Sequence, residues 1–361
     1  MNEENAFYAD QKSGRIRKMK KEFKKLIALL LSIMMVFTLV SCGKPSEDPT
    51  PEPAPSPEPD GGDEPVKEEW VWEGPKYEAI AANPGKAVNF TLPDAPTGVL
   101  AKVLDSGKLV IGTSPDYPAA EFVDPITGEI KGNEMLLAKY IANSLGVELV
   151  IEAMDFSGVL IAVDTGKVDL GVSGFGWKAD RAELYELSAG YSATSDNEGH
   201  HTIVVRASDL DKYNSLADFS GKVIDAQASS LQQMYVEDQI PDANLQLITS
   251  LDQGILDLLA NKVDAIALDS TTAKNYAENS NGQIVSLYVE KKIEFDLSIY
   301  DDFSGNVMAA KKGETQFIGV INEILAELLS TENYYEDKGL YACYYYASCD
   351  EAGILPDDEE E

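Results

Sequence analysis

The chain has 361 residues, enough for about two domains. Its 44% apolar and 25% charged content is that of a globular protein with substantial cores, not of a disordered chain. Against 29 Lys and Arg stand 62 Asp and Glu, a formal charge of -33, so phosphate backbones and anionic lipid surfaces repel it and a nucleic-acid partner is excluded. Two adjacent histidines and three cysteines supply neither histidine-rich metal chemistry nor a four-thiolate zinc site or disulfide framework. No metal and no cofactor are expected.

Positive charge is concentrated at the start: Lys12, Arg15, Arg17, Lys18, Lys20, Lys21, Lys24 and Lys25 precede an uncharged apolar run from Leu26 to Val40. Fifteen residues are short for a membrane span, which needs about 20, and suit the hydrophobic region of a secretory signal. The run ends in Leu39-Val40-Ser41-Cys42-Gly43, which resembles the lipobox of bacterial lipoproteins. The resemblance implies a signal peptide over 1–41 and acyl chains (palmitate among them) on Cys42 that hold the mature chain to the outer face of the cell membrane. Residues 43–65 contain eight prolines and seven acidic residues. Fixed φ and like-charge repulsion make this an extended tether reaching roughly 70 Å. Residues 66–97, with Trp70, Trp72 and Tyr77, are either a strand-like extension docked on the body or more linker.

From Asp105 onward β-branched runs alternate with helical patterns. Strands are predicted at Leu109–Ile111, Val147–Ile151, Val168–Val172, Val223-Ile224, Leu245–Ile248 and Ala265–Leu268. Helices are predicted at Glu134–Leu145, Ser157–Thr165, Ser230–Ile240 and Leu251–Asn261, and Phe317, Ile321, Ile324 and Leu328 mark one face of a further helix. Such alternation implies an α/β fold with mainly parallel sheets and right-handed crossovers. A weak internal echo divides it: Gly107-Lys108-Leu109-Val110-Ile111 is answered by Gly221-Lys222-Val223-Ile224-Asp225, and Gly166-Lys167-Val168-Asp169-Leu170 by Asn261-Lys262-Val263-Asp264-Ala265. Two lobes built alike are expected.

Ligands of parallel sheets bind beyond the carboxyl ends of strands, which selects four loops: Thr113–Tyr117, Ser173–Arg181, Ala228–Leu231 and Asp269–Thr272. In Ser173-Gly174-Phe175-Gly176-Trp177-Lys178-Ala179-Asp180-Arg181, the glycines let backbone N–H groups approach a ligand, and Arg181 offers a planar fork to a carboxylate. Asp269, after an apolar strand, caps the next helix or receives an ammonium. An arginine from one lobe and an aspartate from the other suit the zwitterion common to all α-amino acids, with Tyr117 and Phe156 as apolar walls.

At these residues the chain resembles the family 3 extracellular solute-binding proteins, receptors of ABC importers for polar amino acids. The resemblance is carried by Gly107–Phe122 (GKLVIGTSPDYPAAEF), Met154–Gly158 (MDFSG), Val168–Arg181 and Gly305–Gly313 (GNVMAAKKG). It implies a two-lobed, type II periplasmic-binding-protein-like fold hinged like a clamp. The crossovers would lie near Tyr191–Ser195 and Tyr300–Ser304, giving a first lobe of 98–192 plus 303–350 and a second of 193–302, with an acidic tail over 351–361. It also implies that Arg181 clamps the α-carboxylate, Asp269 receives the α-ammonium, Tyr117 and Phe156 flank the ligand, and the Gly174 backbone contacts the ammonium. Ser229 and Ser230 would form the second-lobe turn that contacts the carboxylate. Gly176 and Lys178 stand where the family usually has threonine, and Ser229 where it has glycine, so no particular specificity is carried over. Asp116, Gly176 and Trp177 complete the candidate ligand-binding set.

The expected function is capture of an amino acid and its delivery to a membrane permease powered by an ATPase, by a monomer with no catalytic residues and no membrane contact beyond its lipid anchor. A dehydratase of cyclic acids on the same fold would need a general acid, and the four loops hold no histidine or glutamate, although Asp116 falls in them. A sensory protein would have to dock on a separate receptor. His200 and His201, on opposite faces of a strand, make a poor chelate. A disulfide between Cys343 and Cys349 requires the Tyr-rich segment to turn sharply; two buried thiols are the alternative.

Overall fold

A computed structural model describes residues 70–193, 199–300, 305–354 and 356. The expected signal peptide, lipid-bearing Cys42 and proline-rich tether lie outside the described residues, as do parts of both expected crossovers.

Two five-stranded sheets organise the chain. In the first, β1 (Lys108–Thr113) lies between β5 (Glu148–Ala153) and β6 (Leu170–Gly176), all parallel, followed by β13 (Asn306–Lys311) and β7 (Tyr185–Leu187). In the second, β9 (Val223–Gln227) lies between β10 (Asn244–Ile248) and β11 (Ala265–Asp269), again parallel, followed by β8 (His201–Arg206) and β12 (Ile284–Ser286). The sheets are mixed, not mainly parallel. Strand β13 runs antiparallel to β6 and to β7, and β8 antiparallel to β11 and β12. The physical reason is that β13 and β8 enter from the connections between the lobes and not through a βα crossover. Where those connections leave the first sheet, Tyr191 and Asn306 pair antiparallel.

The internal echo corresponds to real equivalence. Helices α3 (Asn133–Leu145) and α4 (Phe156–Asp164) serve the first sheet as α6 (Leu231–Gln239) and α7 (Leu251–Leu259) serve the second. Gly107 and Gly221 both enter their strands at positive φ, and Gly166 and Asn261 do the same after α4 and α7. Both sheets are covered on two faces, which explains the uninterrupted apolar strands. Along β11, Ala265 and Ala267 enter one core while Ile266 and Leu268 enter the other, the two-residue period of a strand.

Before the first sheet the chain is docked, not a linker, and it is helical where a strand-like extension was the alternative. Helix α1 (Tyr77–Ala82) and α2 (Gly98–Ser106) pack on the first core with Trp72, Ile80 and Leu100. They pack against α10 (Thr315–Ser330) and α11 (Leu340–Ala352), α1 against α11 and α2 against α10. Since α11 continues to Ala352, Glu351 belongs to the body and not to an acidic tail. Cys343 and Cys349 are two buried thiols on α11, not bonded to each other. Six helical residues separate them by about 9 Å along the axis, beyond disulfide reach, because the segment does not turn. Burial pushes the Cys343 thiol up to about 11.

One core residue is a mismatch. Asp225, in the middle of β9, is 1% exposed and neither carboxylate oxygen has a hydrogen-bond partner. Burial, with Asp257 nearby, pushes its carboxyl up to about 6. A group whose folded pKa is raised destabilises the native state above that pKa and is relieved as pH falls toward its unfolded value. Asp225→Val is therefore expected to gain about 1–3 kcal/mol at pH 8, with the gain shrinking toward pH 5. Urea unfolding at both pH values measures it; an equal or negative change at pH 8 rejects the account.

Candidate functional site

The four loops converge on one cleft of about 460 Å³ between the lobes. Asp116 and Tyr117 come from β2 (Asp116–Tyr117), a short strand paired with β3 (Glu121–Val123), itself paired with β4 (Ile130–Lys131). Phe156 opens α4, whose N-terminus Asp155 caps by accepting from the Gly158 N–H at 2.9 Å. Gly174 and Gly176 come from β6, and Arg181 from α5 (Ala179–Leu184). From the second lobe come Ser230, the N-cap of α6, and Asp269, the N-cap of α8 (Ser270–Asn279).

Gly174 has to be glycine. Its φ is +52°, and a Cβ there would stand 3.0 Å from the Tyr117 ring, so a side chain would strain the backbone and displace a cleft wall. Trp177 does not line the cleft. Just past the end of β6, it packs on the Val159, Phe175 and Val307 cluster. Ser229 contributes through its backbone, at φ +70°.

Arg181 is 2% exposed. Its guanidinium donates to the Gly176 carbonyl from its own lobe and, at 2.7 Å, to the Ser229 carbonyl of the second. Its Nε has no hydrogen-bond partner. The rings of Phe175 and Phe156 lie 5.1 and 6.0 Å from its central carbon. Burial lowers its pKa to about 10, so it stays charged at neutral pH. Asp269 accepts from the Thr272 N–H at 2.9 Å and also lines the cleft; capping and cleft positions are compatible.

Asp116 also bridges the lobes. It accepts from Ser114 Oγ at 3.0 Å in the first lobe, and from Gln227 Nε2 at 2.9 Å and the Leu251 N–H at 3.0 Å in the second. Burial raises its carboxyl pKa. Behind β2, Glu121 and Glu134 are fully buried, and burial raises both carboxyl pKa values, with Glu134 acting further on Glu121. Ser173 Oγ donates to Glu121 at 3.1 Å, and the Tyr191 hydroxyl donates to Glu134 at 2.7 Å.

Sequence reasoning missed part of the wall: Tyr191, His200, His201, Gln227, Lys274, Tyr288, Tyr341 and Tyr345 also line the cleft. His200 pairs with Glu294 and stacks on Tyr288 at 4.5 Å. His201 contacts Gln232 Nε2 through Nδ1 at 2.9 Å and meets Tyr235 edge-on; burial lowers its pKa to about 4. The position of His201 on β8, antiparallel to β11 and opposite Asp269, is a consequence of tertiary pairing with no local signature.

Residues 109–341 match the bacterial extracellular solute-binding proteins, family 3. Among curated proteins, a probable histidine-binding protein of Campylobacter jejuni is 28% identical over 182 residues, half of this chain and 67% of that protein. The arginine-binding protein ArgT of Corynebacterium glutamicum is 26% identical over 65% of this chain and 76% of its own length. Among solved structures, an amino acid ABC transporter substrate-binding protein, AbpA of Streptococcus pneumoniae, bound to L-arginine, superposes with TM-score 0.60 at 25% identity, covering 71% of this chain and all of that one. The arginine-bound truncated ArgBP of T. maritima gives 0.55 at 27% identity over 63% of this chain. With two mixed sheets enclosing one interlobe cleft, the chain has the two-lobed type II binding-protein fold and belongs to the bacterial extracellular solute-binding proteins, family 3.

Proposed function

We propose that the cleft captures a free α-amino acid outside the cell and presents it to an ABC importer. The observation that carries this reading is the placement of one buried guanidinium and one carboxylate on the walls of a single cleft, from different lobes. The α-carboxylate takes the Arg181 guanidinium, which lines the cleft, and the α-ammonium takes Asp269 with the Gly174 backbone. Tyr117 and Phe156 flank the carbon skeleton. The Ser230 hydroxyl closes on the carboxylate from the second lobe. The Arg181 and Asp116 hydrogen bonds across the cleft favour the closed arrangement, and the ligand needs only to stabilise it further. Relatives named for arginine, histidine, glutamate and cystine binding support an amino acid as the cargo.

The lobe boundaries that fit this reading are 98–192 plus 303–352 and 193–302. Cys42 carries the acyl chains that tether the body beside its permease, and among the described residues no helix is long and apolar enough to cross a membrane. Calorimetric titration with the twenty amino acids tests the cargo: micromolar or tighter binding of at least one is expected, and failure of all twenty refutes the reading. Labelling with a palmitate analogue tests the anchor: the native chain should be labelled and Cys42→Ala should not.

A further inference from the structure

Helix α11 distributes its tyrosines over three faces. Tyr344 turns into the first core, where its hydroxyl donates to the Pro84 carbonyl. Tyr346 faces the N-terminal extension and stacks on Trp72, centroids 5.0 Å apart and planes 16° from parallel. Tyr341 and Tyr345 are four residues apart and therefore neighbours on one face, and both line the cleft. Tyr341 is 3% exposed, its hydroxyl accepting from Asn133 Nδ2 at 3.0 Å and its ring edge-on to Tyr191 at 5.9 Å. Tyr345 is half-buried. The helix that carries them is held by Trp72 and by Lys131, which pairs with Glu351. The family match ends at Tyr341, so Tyr345 and most of α11 lie beyond it.

Across the cleft the second lobe presents His200 stacked on Tyr288. Arg181 and Asp269 are assigned to the head group, and both oxygens of the Asp116 carboxylate are engaged by Ser114, Gln227 and Leu251. Of the remaining wall, rings are the dominant chemistry. Flat rings stack on planar π systems, aromatic or guanidinium, and give a tetrahedral ammonium or an aliphatic chain no such stacking.

We infer that Tyr341 and Tyr345 of α11, facing His200 and Tyr288, form a specificity wall that selects an amino acid whose side chain ends in a planar π group. The inference rests on the amino-acid reading above and adds the side-chain class to it. A neutral ring and a guanidinium are the two sources of such a group, and the planar face they share is what the wall recognises.

The test is calorimetry on the intact protein, native and with Tyr345→Ala or Tyr345→Phe, against phenylalanine, tyrosine, tryptophan, histidine and arginine, with lysine, leucine, glutamate and alanine as controls. At least one planar side chain should bind tenfold or more tightly than lysine and leucine. Tyr345→Ala should lose most of that preference, and Tyr345→Phe should keep it. Ring over arginine assigns the neutral source, and the reverse assigns the guanidinium. Lysine or leucine binding as tightly as every planar ligand, or a preference untouched in Tyr345→Ala, overturns the inference and leaves the amino-acid reading standing. No binding of any amino acid removes both.

Discussion

Arg181→Ala is expected to lose amino-acid binding by about 2–5 kcal/mol, from thirtyfold to several-thousandfold in Kd, while the fold persists. Truncating one partner of a buried, hydrogen-bonded charge pair costs that much because the other charge stays desolvated and unpaired. In this cleft the orphan would be the ligand's carboxylate, which among the described residues has no other buried guanidinium on the walls. Arg181→Lys should rescue little, since a point ammonium cannot reproduce a planar fork that reaches the Gly176 and Ser229 carbonyls. The variant also removes a hydrogen bond between the lobes, so its closed state is less populated even before ligand is added. Calorimetry, with circular dichroism to confirm folding, reads the result. Affinity unchanged in Arg181→Ala would sink the assignment of this cleft to the head group.

Lys131→Met is expected to cost about 3–5 kcal/mol of stability. The Lys131 side chain is only 5% exposed and meets Asp124 at 2.8 Å, Glu78 at 2.6 Å and Glu351 at 2.9 Å. Glu78 belongs to α1 and Glu351 to α11, so one ammonium ties both additions to the first lobe. The main loss falls on Asp124, 8% exposed, because Glu78 is largely in solvent and contributes little. Burial alone would raise the Asp124 carboxyl, but hydrogen bonds from Lys131 and from the Ile126 and Thr127 N–H groups hold it down to about 2. A depressed carboxyl stabilises above its unfolded pKa, and that contribution is lost as pH falls through the folded value. The native protein's advantage over Lys131→Met should therefore hold at neutral pH, persist to about pH 4, and fade toward pH 2. Chemical unfolding across that range checks it, and a difference that grows on acidification would contradict the pairing argument.

Much of the site was legible because it is local. Strands ending in glycine-rich or capping loops carry period, polarity and turn chemistry in a few consecutive residues, so β6 with Gly174, Gly176 and Arg181, and β11 with Asp269, could be read from the chain. Trp177 was misplaced because the loop's chemistry suggested a wall while its ring packs on the Phe175 cluster. The Cys343–Cys349 pairing depended on a turn that a continuous α11 does not make. Residues 70–97 could not be assigned, since their aromatic side chains find partners, among them Tyr335 and Tyr346, more than 200 positions away.

By itself the sequence determined the α/β alternation, the duplicated lobe plan, the four cleft loops and the guanidinium–carboxylate pair, all encoded in short-range patterns of apolarity and glycine. Only the tertiary structure decided which strands run antiparallel, that Asp116 bridges the lobes, that Glu121 and Glu134 are buried together, and that α11 brings Tyr341 and Tyr345 to the cleft wall. Those features arise when elements distant in sequence are packed into contact, and the free energy that selects the contact belongs to the packed pair, not to either segment alone.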